Sequence, residues 1–171
     1  TSAEGCKECP VGRYSELDGY GITVASSSTV ACTGCPRGRW SDKTGVLKES
    51  LCVNCQAGFH GSTTEGASGN YSCKECGIGT FSEAVGSFDE SATCQECPTG
   101  FAQRDTGSTF CLPCIPGTYQ AEEGQRICLP CPVGKFVERV RAVKCDSPKF
   151  GFVAGNSKAG EIAVGVGWFP R

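Results

Sequence analysis

Apolar side chains in this chain follow no helical stripe. They come in short bursts beside cysteine pairs, separated by polar runs, and the burst repeats. The repeat is most regular between residues 94 and 145. There Cys94, Cys111, Cys128 and Cys145 are spaced by 17 residues, and so are Cys97, Cys114 and Cys131. Each unit reads C-x-x-C, a Gly three residues on, a ring one or two later, and a polar run to the next pair. Such a period marks stacked units, none of which buries an apolar face alone. Taking the second Cys of each pair as the start, units begin at Cys9, Cys35, Cys55, Cys76, Cys97, Cys114 and Cys131. Gly12, Gly38, Gly58, Gly79, Gly100, Gly117 and Gly134 follow three residues later. These glycines suit the positive φ of a tight, type II-like turn. The rings come next: Tyr14, Trp40, Phe59 with His60, Phe81, Phe101, Tyr119 and Phe136. Each ring is expected to lie over a neighbouring bridge as a miniature core.

The polar runs hold 22, 16, 17, 17, 13, 13 and 13 residues, with every insertion after the ring. Insertions therefore enter surface loops and leave the turn intact. After Cys145 the unit degenerates. Pro148 stands where the second Cys belongs, Gly151 and Phe152 follow, and counting forward puts Ile162 at the next first-Cys position. The final stretch alternates Ile162, Val164, Val166 and Trp168 against smaller or opposite-facing residues, the period of a strand with one apolar face. It reads as a terminal cap on the array or as an edge strand that docks on another copy.

The expected fold class is small disulfide-rich repeats: an elongated tandem array of short β-hairpins, with almost no helix and no single core. Residues 1–8 end an upstream repeat. Seven repeats span 9–34, 35–54, 55–75, 76–96, 97–113, 114–130 and 131–147, and 148–171 form a cysteine-free degenerate repeat with its apolar tail.

Composition explains why sulfur is needed. Leu, Ile, Val and Phe make up about 19% of the chain, too little for one core of this length, and 24 Gly with 9 Pro oppose long helices. Spacing alone does not fix the connectivity of 15 cysteines. One scheme accounts for the odd count and for the joint loss at Pro148 and Ile162: the second Cys of each pair bonds the first Cys of the next. It gives Cys9–Cys32, Cys35–Cys52, Cys55–Cys73, Cys76–Cys94, Cys97–Cys111, Cys114–Cys128 and Cys131–Cys145. Cys6 is left over, with a partner expected upstream. The net charge of −2 gives no electrostatic footprint for nucleic acid, and no apolar run is long enough for a membrane span. No Met and no signal peptide are present, as in a mature or trimmed piece of a longer chain. Cysteine this dense persists as disulfide in an oxidising compartment, so the chain is expected to be secreted or at the cell surface.

The pattern C-P-x-G-x-[YF]-S resembles the cysteine-rich repeats of ephrin-receptor-like modules. It is also similar to the first submodule of tumour-necrosis-factor-receptor repeats. The residues that carry the likeness are Cys9-Pro10-Val11-Gly12-Arg13-Tyr14-Ser15, Cys35-Pro36-Arg37-Gly38-Arg39-Trp40-Ser41 and Cys114-Ile115-Pro116-Gly117-Thr118-Tyr119. The resemblance covers roughly residues 6–145 and departs from the pattern at His60, Ala102 and the unit after Cys145. It implies the same second-to-first pairing and an extracellular, non-catalytic array. The extra cysteines of tumour-necrosis-type receptors are missing, which argues against a cytokine receptor.

Other chemistries fit less well. Paired C-x-x-C motifs are a zinc-ribbon signal, but there is one His, an odd Cys count and no grouping by four. Seven copies are too many for a redox C-x-x-C. His60 stands alone in a glycine-rich loop and reads as a substitute for the ring at its turn. No enzyme and no cofactor are expected. Asn70-Tyr71-Ser72 is the only N-glycosylation sequon, and it lies in an inserted loop. Lys135, Arg139, Arg141, Lys144 and Lys149 outnumber Glu138 and Asp146, a basic cluster open to an acidic glycan or a neighbouring subunit.

Two functions of different class fit this pattern. The first is a structural protein that self-assembles into a filament, matrix or surface appendage, with copies of itself as partners. The second is the stalk or ligand-binding region of a receptor, with Tyr20, Trp40 and Phe88 as anchors.

Overall fold

A computed structural model describes residues 8–15, 32–61, 64–149, 152–154 and 159–163. Each cysteine repeat opens with a four-residue turn. The amide after the turn donates to the residue three before it at 3.0–3.1 Å, as in Arg13 to Pro10, Phe101 to Pro98 and Lys135 to Pro132. The glycine inside each turn has φ between +77° and +84°, the value a type II turn requires.

The turn feeds a two-residue strand. In the first six repeats that strand pairs antiparallel with the two residues after the next first Cys. The hairpins are β1 (Arg13–Tyr14) with β2 (Thr33–Gly34), β3 (Arg39–Trp40) with β4 (Val53–Asn54), and β5 (Phe59–His60) with β6 (Lys74–Glu75). They continue as β7 (Thr80–Phe81) with β8 (Gln95–Glu96), β9 (Phe101–Ala102) with β10 (Leu112–Pro113), and β11 (Thr118–Tyr119) with β12 (Leu129–Pro130). In the seventh repeat the hairpin shrinks to one bridge, Phe136 to Asp146. Helix is confined to α1 (Glu90–Thr93) and two 3-10 turns, Glu49–Leu51 and Asn70–Ser72, among the described residues.

Seven disulfides close these repeats: Cys9–Cys32, Cys35–Cys52, Cys55–Cys73, Cys76–Cys94, Cys97–Cys111, Cys114–Cys128 and Cys131–Cys145. The second Cys of every pair is buried, at most 3% exposed. Cys6 lies outside the described residues.

The degenerate repeat keeps its hairpin without sulfur. The strand β13 (Phe152–Ala154) pairs antiparallel with β14 (Glu161–Ala163), placing Val153 opposite Ile162. In the bridged repeats the residue at that step of the first strand faces the one after the first Cys. Glu161, not Ile162, therefore stands at the missing cysteine's place. No covalent link holds the register there, and the hairpin closes one residue shorter than the 17-residue count predicts. Val164, Val166 and Trp168 lie outside the described residues.

The chain divides into two compact units: Thr1–Cys76 with Ser82–Cys94, and Gly77–Phe81 with Gln95–Arg171. Within each, successive repeats join through the same backbone hydrogen bonds. In the first unit Cys35 N donates to Gly12 O, Gly12 N to Ser41 O, Ser15 N to Val46 O and Gly45 N to Cys9 O, at 2.8–2.9 Å. In the second, Cys131 N donates to Gly117 O, Gly117 N to Val137 O, Gln120 N to Ala142 O and Arg141 N to Cys114 O, at 2.8–2.9 Å. Backbone groups buried by stacking are thus paired with the next repeat.

Side chains follow the same rule. Tyr14 packs with Cys35, Cys52 and Val46 of the following repeat, and Tyr119 packs against Cys131, Val137, Ala142 and Cys145 of its successor. A ring covers the bridge of the next repeat, so the unit's core is shared between neighbours. Among the described residues no core spans many repeats.

Candidate functional site

In five of the seven repeats the residue six positions after the second Cys is polar and buried. Ser15, Ser41, Ser82, Gln103 and Gln120 are all buried, between 2% and 6% exposed. Each later one holds the chain just beyond it. Ser41 Oγ accepts from Lys43 N at 3.2 Å and Ser82 Oγ from Ala84 N at 3.2 Å. The longer Gln spans the loop. Gln103 Oε1 accepts from Asp105 N at 3.1 Å while its Nε2 donates to Phe110 O at 2.9 Å. Gln120 does the same with Glu122 N at 3.1 Å and Ile127 O at 2.8 Å. Sequence reasoning missed these glutamines. The signal was a single column of the repeat reading Ser, Ser, Gly, Ser, Gln, Gln, Val.

A second column was also missed. Gly45, Gly66, Gly86, Gly107 and Gly124 all have φ between +64° and +80°, and in the seventh repeat Arg141 takes the place with φ +59°. Gly66, Gly86, Gly124 and Arg141 bring the chain back against a repeat two positions earlier. A Cβ built on Gly12 would overlap the carbonyl of Gly66, one on Gly79 the carbonyl of Gly124, and one on Gly100 would lie 2.5 Å from Arg141 O. Gly12, Gly38, Gly79 and Gly100 are needed for close approach as well as for φ. Arg141 also lays its guanidinium 5.2 Å from the centroid of the Phe101 ring, a cation–π contact.

The rings do not all face one way. Successive strand residues point to opposite faces. Tyr14, Trp40, Phe81, Tyr119 and Phe136 are five residues after the second Cys, whereas Phe59 and Phe101 are four after it. In those two repeats the core-facing place is taken by buried His60 and Ala102. The expectation that His60 replaces a ring thus meets a specific geometry: His60 is 7% exposed, with its Nε2 3.8 Å from Glu90 Oε2.

A concavity in the first unit lies beside this histidine. It is a cleft of about 520 Å³ between β5, the loop before Cys73 and the start of α1. Tyr71 and Phe88 supply rings, Glu65 and Glu90 carboxylates, and Lys74 an ammonium. Asp89 caps α1, accepting from Ser91 N at 3.0 Å and Ser91 Oγ at 2.8 Å. Those bonds from Ser91 hold its carboxyl below the usual carboxylate range, with a minor contribution from His60.

The remaining candidates are scattered. Asn70 is exposed at the start of its 3-10 turn. Phe88 is 39% exposed under the Arg37 guanidinium, Trp40 is half-buried in a bridge to Ala67, and Tyr20 lies outside the described residues. The basic cluster is engaged in part: Arg139 pairs with Asp146 at 2.9 Å and Arg141 covers Phe101. The fourteen described cysteines are all in disulfides, and no three His, Cys, Asp or Glu groups converge as a metal site among the described residues.

No curated protein matches this chain. Residues 86–124 and 105–147 each match the family described as tyrosine-protein kinase ephrin type A/B receptor-like. That match falls on the most regular units, where Gln103, Gln120 and all three 13-residue loops sit. Repeats of this kind are typical of extracellular regions, and the family detected is a non-catalytic one. Residues 86–147 are ephrin-receptor-like cysteine-rich repeats, built on the disulfide hairpin that recurs from Cys9 to Cys145.

Proposed function

We propose that this chain is part of an extracellular structural array that self-associates into a filament, matrix or surface appendage. The observation that carries the reading is the joint between repeats. Each repeat offers the next one the same backbone donors and acceptors and the same ring-on-bridge contact. An operation of that kind does not close on itself, and head-to-tail use of it builds length, not a compact oligomer. The assembly contact in this reading is the apolar series Ile162, Val164, Val166 and Trp168, offered as a strand to another copy. Disulfides replace a core, so the array keeps its form where reducing systems are absent.

Electron microscopy of the secreted chain tests this. Regular fibres that disappear in a Val164→Asp, Trp168→Asp variant are expected. Monodisperse particles at every concentration, in either chain, would contradict it. Monodisperse particles that capture a soluble protein ligand would favour the receptor-stalk alternative.

A further inference from the structure

We propose that Asn70 carries an N-linked glycan whose first sugars lie in the cleft beside it, an inference that rests on the extracellular reading above. Asn70 opens the sequon Asn70-Tyr71-Ser72 and is exposed on the 3-10 turn Asn70–Ser72. The next two residues of that turn, Tyr71 and Ser72, line the cleft. A sugar leaving Asn70 on that side meets its wall within one residue of the attachment point.

The lining suits a neutral saccharide. Tyr71 is 75% exposed yet held in place: its hydroxyl is hydrogen-bonded to Ser68 Oγ, and its ring lies so close to Gly69 that a Cβ there would overlap it. Phe88 lies across the cleft with the Arg37 guanidinium 5.5 Å from its ring centroid. Rings held in this way receive the flat C–H face of a pyranose. Around them stand the carboxylates of Glu65 and Glu90 and the hydroxyls of Ser68 and Ser72, which pair with sugar hydroxyls. A purely apolar occupant would strip water from the Glu65 and Glu90 carboxylates, at a cost. Two carboxylates against one ammonium, Lys74, disfavour an acidic ligand.

The linkage is made during secretion. Nδ2 of Asn70 forms a bond to the anomeric carbon of an oligosaccharide, the bond from that carbon to a lipid diphosphate carrier breaks, and the amide gives up one proton. The co-reactant is a lipid-diphosphate-linked oligosaccharide.

The full chain, secreted from a eukaryotic host, is to be weighed intact without reduction, and its glycan then released from the native protein by an endoglycosidase. The expected result is the mass deficit of seven disulfides together with a glycan that Asn70→Gln abolishes. Release from the wild type should be several-fold slower than from Tyr71→Ala, whose exposed ring can be removed without opening the fold. A disulfide-linked product with a bare Asn70 would overturn the inference while leaving the extracellular reading intact. Equal release rates would overturn the placement in the cleft. Free thiols throughout would overturn both readings.

Discussion

A methyl group at residue 79 has nowhere to go. Gly79 has φ +79°, and a Cβ there would overlap the carbonyl oxygen of Gly124. Gly134 has the same φ, +79°, but no described atom lies within 4 Å of its Cβ position. Gly134→Ala should therefore lose only the left-handed backbone preference, about 1–2 kcal/mol. Gly79→Ala adds an overlap with backbone that cannot rotate away, and should lower the unfolding temperature by clearly more. Thermal unfolding of the two oxidised variants, side by side, checks the ordering. Gln120 makes a second residue-scale case. Its amide donates to Ile127 O and accepts from Glu122 N while 4% exposed. In Gln120→Glu a carboxylate keeps the acceptor but loses the donor, leaving a buried charge opposite a carbonyl, at a cost above the ~1–3 kcal/mol of a neutral orphaned group. Protonation restores a donor, so the folded pKa of that carboxyl is raised. The lost stability should return as pH falls and vanish as pH rises, read as unfolding midpoint against pH. The positive φ at the turn glycines was legible in the sequence, because Cys-Pro-x-Gly is a turn signal. Their second duty was not, since it depends on a repeat two units away.

At the scale of the element, the hairpins were expected and are found, two residues long and closed by sulfur in the first six repeats. The ring column was read too simply. Treating positions four and five after the second Cys as equivalent ignored the two-residue alternation of a strand, and His60 and Ala102 show the consequence. Helix α1 was not foreseen, since four residues in an inserted loop give no periodicity to read. Its cap makes it pH-sensitive. Ser91 holds the Asp89 carboxyl below its ordinary value of 3.8. A depressed folded pKa means the stabilisation is present above the ordinary value and is lost as pH falls through the folded one. Amide exchange at Ser91 should therefore quicken, relative to its neighbours, as the solution is taken below that value. In Asp89→Ala this extra quickening should be absent, and the amide unprotected from the start.

At the scale of the molecule, the wiring was legible because two sulfurs disappear together near the C-terminal end of the sequence. The exact register of that bridge-free hairpin was not, because only a covalent bridge enforces the count. The docking bonds between repeats, four per joint where complete, involve backbone atoms and leave no mark in side-chain chemistry beyond the glycines. Shape is thus carried by a covalent chain of loops, and chemistry is left to inserted segments such as the one bearing Asn70.

The most direct test of this account is a non-reducing peptide map of the secreted protein. It predicts seven cross-links, each from the second Cys of one pair to the first of the next, with Cys97–Cys111, Cys114–Cys128 and Cys131–Cys145 as separate peptides. A link within a pair, such as Cys111 to Cys114, would contradict it. So would unmodified thiols at both.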